Sequence, residues 1–81
     1  MKIPRDLNYQ DIIKILSPLG YSVTRQSGSH IRLTTEQNGV HHITIPAHRP
    51  VKIGTLNSII VSIAEHFGYT KNELMEKLFS R

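Results

Sequence analysis

The chain of 81 residues has no cysteine and no tryptophan. Without cysteine there is no disulfide framework, no thiolate nucleophile and no cysteine-ligated zinc. Long apolar runs are missing as well. The longest, Ile59-Ile60-Val61, falls far short of a membrane span. The opening Met1-Lys2-Ile3-Pro4-Arg5-Asp6 lacks the apolar stretch of a signal peptide, so the expected location is cytoplasmic, with no membrane partner. There are no repeats, low-complexity tracts or linkers, and residues 1–81 read as one domain. A chain of this size buries only about 60–65% of its unfolded surface, enough for one modest core.

Acidic residues are scarce where it matters most. Between Arg25 and Lys52 the only acid is Glu36, against Arg25, Arg32, Arg49 and Lys52. The other acids, Asp6, Asp11, Glu65, Glu73 and Glu76, fall in the outer segments. The overall charge is +4, and four of the five histidines share the basic middle. Positive charge gathered in one region reads as a surface for an acidic partner, and nucleic acid is the commonest one. A two-metal nuclease needs clustered carboxylates, which this middle lacks. If the chain cuts RNA, it is expected to do so without metal or other cofactor.

The pattern of apolar residues gives the element order. Tyr9, Ile12, Ile13, Leu16 and Leu19 recur at helical spacing over residues 8–19. Asn8 is the expected N-cap, Asp11 suits the first-turn dipole, Leu7 can staple onto Ile12, and Pro18 and Gly20 end the helix. A short strand follows over residues 21–26, and Ser27-Gly28-Ser29 turns the chain. Residues 30–35 and 40–45 form the next strand pair, joined by Gln37-Asn38-Gly39 with Gly39 in the left-handed position. Alternation puts Ile31, Leu33, Ile43 and Ile45 on one face, and His30, Arg32, Thr34, His42 and Thr44 on the other.

Pro46 to Pro50 breaks the strand pattern. A second helix starting near Gly54-Thr55 carries Leu56, Ile59, Ile60, Ile63, Ala64 and Phe67 on one stripe, and Gly68 closes it. Thr70 with Glu73 forms a capping box for a last helix with Leu74, Met75, Leu78 and Phe79 on its inner side. The fold class is therefore α+β, a helix, a three-stranded antiparallel sheet and two helices. The helix stripes must cover the one apolar sheet face.

His30 stands directly after the Gly-Ser turn, held between a turn and a strand. Its side chain has the ordinary pKa closest to neutrality, which suits proton transfer. Ser27, Gly28 and Ser29 form the turn expected to position it, with Ser27 and Ser29 as ordinary turn residues the equal alternative. His48 lies in the loop after the third strand, and the pairing puts Pro46 opposite His30, so the two histidines are expected near one another. Two histidines can divide the base and acid work of RNA cleavage; a plain surface or loop role is the alternative for each. Lys52 precedes a helix start whose free N–H groups suit a phosphate. A zinc site from His30, His42 and His48 has no conventional ligand spacing. His41 and His42 face opposite ways, and His66 reads as a helix-border residue.

Taken together, Leu19-Gly20-Tyr21, Arg25-Gln26-Ser27-Gly28-Ser29-His30, Ile43-Thr44-Ile45-Pro46-Ala47-His48 and Lys52-Ile53-Gly54-Thr55-Leu56 resemble a HicA-type toxin. That family is the mRNA interferase half of bacterial and archaeal toxin–antitoxin pairs. The resemblance spans roughly residues 9–79. It implies a double-stranded-RNA-binding-domain-like fold, here with an extra C-terminal helix, and endonucleolytic cleavage of mRNA with His30 as the catalytic histidine. It also implies a HicB-type antitoxin that covers the site. On this reading Arg25, Arg32 and Lys52 hold the RNA backbone, and His48 is a second acid or base. The chain departs from the common pattern in having Ile31-Arg32-Leu33 after the histidine, Arg49-Pro50 in the following loop, and a longer last helix.

Two other readings compete. A non-catalytic RNA-binding module of the same fold would need the basic surface but not the Gly-Ser-His turn. A DNA-reading helix-turn-helix over residues 56–79 would need a basic second helix, whereas Lys71, Glu73, Glu76 and Lys77 nearly balance.

Overall fold

The first helix, α1 (Tyr9–Leu16), forms where the apolar spacing and the cap coincide. Asp11 accepts a hydrogen bond from the Asn8 backbone N–H at 2.9 Å, and Ile12 and Leu16 face the core. The structure, a computed structural model, describes residues 3–79. Pro18 tightens the expected end of α1 into a separate 3₁₀ turn over Ser17–Leu19. Gly20 then takes a positive φ of 84°. A side chain there would be strained twice over, because a Cβ would lie 2.6 Å from the Thr35 hydroxyl. That hydroxyl is itself buried; it donates to the Leu19 carbonyl at 2.7 Å and accepts from the Gln37 N–H at 3.1 Å. One threonine thus ties the end of the first helical segment to the sheet.

Strands β1 (Ser22–Ser27), β2 (His30–Thr35) and β3 (His41–Pro46) form an antiparallel sheet in the order β1-β2-β3. The β2–β3 register is the expected one, with His30 opposite Pro46, Arg32 opposite Thr44 and Leu33 opposite Ile43. Pairing stops at Thr35–His41, so the loop is five residues, 36–40, rather than three. Asn38 and Gly39 both take positive φ there, 58° and 93°. Ile31, Leu33, Ile43 and Ile45 are all buried. β1 begins and ends one residue later than the pattern suggested, and every residue in it is exposed. Its sole apolar side chain, Val23, is 47% exposed, and a bulge between Val23 and Arg25 shifts its register.

Helices α2 (Ile53–Phe67) and α3 (Lys71–Phe79) close the core. Gly68 caps α2 in the left-handed conformation. Thr70 and Glu73 form the reciprocal capping box: Thr70 N–H donates to the Glu73 carboxylate at 2.8 Å, and Glu73 N–H donates to the Thr70 hydroxyl at 3.1 Å. Hydrogen bonding to the carboxylate from Thr70, its backbone N–H first and then its side chain, holds the exposed Glu73 carboxyl below the usual carboxylate range. α2 packs on β3, and α3 packs on α1 and α2. The buried residues form one cluster. The architecture is α+β and consistent with the double-stranded-RNA-binding-domain-like fold, extended by α3.

Leu74 and Met75 are fully buried, so α3 is part of the core rather than an appendage. Met75→Ala is expected to lower stability by about 2–5 kcal/mol, the usual cost of a large-to-small change in a core. Urea unfolding of the variant beside the wild type checks this. A loss under about 1 kcal/mol would mean the domain does not depend on α3.

Candidate active site

A two-residue turn, Gly28-Ser29, joins β1 to β2, with Ser27 paired to His30 across it. Gly28 has φ 57°, yet a Cβ there would meet nothing within 4 Å. Glycine serves the left-handed backbone here, not a close approach. The turn therefore fixes His30 as the first residue of β2, between Ser27 and Pro46, with its side chain exposed.

Next along the same face comes the pair Arg25–Arg32, directly opposite one another on β1 and β2. Residues two apart in a strand are roughly 7 Å apart and share a face, so this pair adjoins the His30 position. Like charges directly opposite are destabilising. Glu36, the sole acid of the region, lies in the loop at the other end of the hairpin. Arg32 is half-buried, and its Nε is out of contact with solvent with no hydrogen-bond partner among the described residues. A third row crosses the sheet beyond the arginines. Thr24 and Thr34 hydroxyls hydrogen-bond at 2.8 Å, and the Thr34 hydroxyl bonds His42 Nδ1 at 2.8 Å.

His48 lies in the connection that leaves β3 opposite His30. Ala47 N–H donates to the Ser29 carbonyl at 2.7 Å, and the His48 carbonyl accepts from Tyr9 N–H at 3.3 Å. The backbone is thus pinned beside the Gly-Ser turn on one side and α1 on the other. Both rings, His30 and His48, are exposed, and no hydrogen bond between them is present among the described residues. The fold brings the two to one end of the sheet without joining them. Lys52 is exposed at the N-cap of α2, where the helix start expected at Gly54-Thr55 begins at Ile53. Arg49, counted with the basic region in the sequence, is turned toward α1 instead. Its guanidinium donates to Gln10 Oε1 at 3.2 Å and the Tyr9 hydroxyl at 3.4 Å, and lies 5.3 Å from the Tyr9 ring centre. No three metal-ligating side chains come together among the described residues.

The family model for the HicA toxin of bacterial toxin–antitoxin systems matches residues 9–68. The chain belongs to the HicA toxin family. No curated protein and no solved structure matches it. Within this HicA domain, the matched region runs from α1 through the Gly68 cap of α2. α3 lies entirely beyond it. No helix among the described residues is long and apolar enough to cross a membrane.

A second histidine cluster, not anticipated from the sequence, closes the far end of the hairpin. His41 Nδ1 hydrogen-bonds the Tyr21 hydroxyl at 2.8 Å, and its Nε2 bonds the Ser62 hydroxyl at 3.2 Å. His66 stacks on His41 with ring centres 4.5 Å apart, and its Nε2–H donates to the Gln37 carbonyl at 2.9 Å. Burial pushes the Tyr21 phenol up to about 12, so it stays neutral. Burial first, then the nearby His66 and His42 charges, push His41 down from its ordinary value. The only sequence signal was an adjacent His-His pair, which says nothing of a partner on α2.

Because the folded His41 binds its proton less readily than the unfolded one, its contribution to stability is complete above about pH 6.5, its ordinary pKa. That contribution is lost as the pH falls from there through the folded value. His41→Gln should therefore show a shallower drop in melting temperature between pH 7.5 and 5 than the wild type. Parallel curves would show that His41 titrates normally.

Proposed function

We propose that this HicA toxin is an endoribonuclease that cuts mRNA by transesterification, with His30 as a proton-transfer group. The observation that carries the reading is the placement of His30 two residues along the polar face of β2 from the facing Arg25–Arg32 pair. Two guanidiniums opposed across a ladder repel, and a phosphodiester between them would replace repulsion with charge-assisted hydrogen bonds. Family membership supports the assignment, since HicA toxins are RNA-cleaving toxins that work with an antitoxin partner.

In the proposed reaction the RNA supplies its own nucleophile. The 2′-hydroxyl loses its proton to a base, its oxygen bonds to phosphorus, and the bond from phosphorus to the 5′-oxygen breaks. The leaving oxygen takes a proton from an acid. His30 serves one of these two transfers, and His48, pinned at the same end of the sheet, is the candidate for the other. Arg25 and Arg32 hold the phosphate and offset the charge that builds on it. Lys52, at the start of α2, adds its charge to the helix N-terminus for a neighbouring phosphate. Ser27, Gly28 and Ser29 hold the imidazole in place. A HicB-type antitoxin that covers this surface would silence it.

Purified protein incubated with a long single-stranded RNA in excess EDTA tests the proposal. The wild type should cleave, and His30→Ala should lose about 10²–10⁴-fold in rate, the usual worth of a positioned acid or base. Arg32→Ala should both raise KM and lower kcat, since it removes phosphate binding and charge stabilisation together. Binding without cleavage by either protein would favour an RNA-binding module of the same fold. Equal cleavage by both would remove His30 from the mechanism.

A further inference from the structure

β3 is an edge strand, and its outer edge is open. Ala47 N–H donates to the Ser29 carbonyl, which makes 29 and 47 a hydrogen-bonded pair. Pairs alternate along an antiparallel ladder. Residues 45, 43 and 41 therefore bond β2, while the backbone N–H and C=O of His42 and Thr44 point away from it. The opposite edge, β1, is blunted by a bulge and carries Arg25. β3 has neither device.

Beside this edge runs a groove between β3 and α2, with about 310 Å³ of open space. It is lined by the apolar Ile43 and Ile59 together with His42, Thr44, Thr55, Ser58 and Ser62. No charged residue lines it, which sets it apart from the arginine row next to it. The Thr44 and Thr55 hydroxyls make no hydrogen bond within the protein among the described residues. Ser58 donates to the Gly54 carbonyl at 3.2 Å and keeps its oxygen free to accept. His42 is held by Thr34 through Nδ1, which leaves Nε2 open.

We propose that this groove is a nucleobase subsite, taking one unpaired base of the RNA beside the phosphate held by Arg25 and Arg32. The inference rests on the ribonuclease reading above and adds to it a source of cleavage-site preference. A base is flat, uncharged and apolar on its faces, with donors and acceptors around its rim. The edge offers the complement: apolar Ile43 and Ile59, neutral hydroxyls, open backbone groups and, on the face beside it, the oriented His42 imidazole on which a base can stack. Thr44 faces Arg32 across the ladder, so the groove begins where the phosphate site ends. An added protein strand would use the same edge, but it would draw nothing from the hydroxyls of α2 or from their position next to the arginines.

Single-stranded oligonucleotides that differ only in the base beside the cut give the test. For the wild type, kcat/KM should differ among the four bases. In His42→Ala and Thr55→Val, each shown to fold by thermal unfolding, the ratio of best to worst should fall about tenfold, near the discrimination carried by one good polar contact. A wild type indifferent to that base, or variants with the wild-type ratio, would overturn the proposal. Titrating the four mononucleotides into His30→Ala while following its amide resonances separates this from the ribonuclease reading. Shifts at His42, Thr44 and Thr55 would support the subsite even if the wild type cleaved no RNA. Their absence with all four would overturn it.

Discussion

The β2–β3 register is the constraint on which the rest of this molecule depends. Because side chains alternate strictly along a strand, a slip of one residue would exchange the two faces of the hairpin. Ile31 and Leu33, or Ile43 and Ile45, would turn to water, and His30, Arg32 and Thr34 would turn toward the helices. Burial of those four side chains in the one core they share with residues of α1, α2 and α3 makes such a slip very costly. The same energy that builds the core thus holds a histidine and two rows of polar residues on the open face. The arrangement of that face is a by-product of packing on the other.

The two ends of the hairpin are finished differently. At the loop end, Tyr21, His41, Ser62, His66 and Gln37 satisfy one another, and Asn38 donates to the His66 carbonyl at 2.8 Å. Those histidines belong to the structure. At the turn end, His30 and His48 are exposed, Arg25 and Arg32 face each other, and Arg32 Nε has no partner among the described residues. Polar groups left unsatisfied in one place, beside others fully satisfied in another, separate the groups free for chemistry from those that hold the fold.

Much of this was legible in the chain. The alternation of Ile31, Leu33, Ile43 and Ile45 contains the register, and Thr70 with Glu73 contains the start of α3. The Gly-Ser turn before His30 set the position of that residue on an exposed strand end. What the sequence did not show depends on contacts between distant segments. The partners of His41 come from Tyr21 and α2, and no local pattern marks them. The bulge in β1 and the five-residue loop reflect where pairing becomes unfavourable, not a periodicity. Arg49 looked like part of the basic patch until its contacts with Tyr9 and Gln10 placed it against α1. The groove beside β3 is likewise invisible in one dimension, because its walls lie more than ten residues apart.

The central claim is that RNA is cut by its own 2′-hydroxyl, with side-chain proton transfer on a face that has no carboxylates. The chemistry of the cut ends tests this most directly. Mass spectrometry of the fragments from a defined oligonucleotide should find a 2′,3′-cyclic phosphate on one side and a 5′-hydroxyl on the other. A 3′-hydroxyl with a 5′-phosphate would mean that water is the nucleophile and would contradict the account.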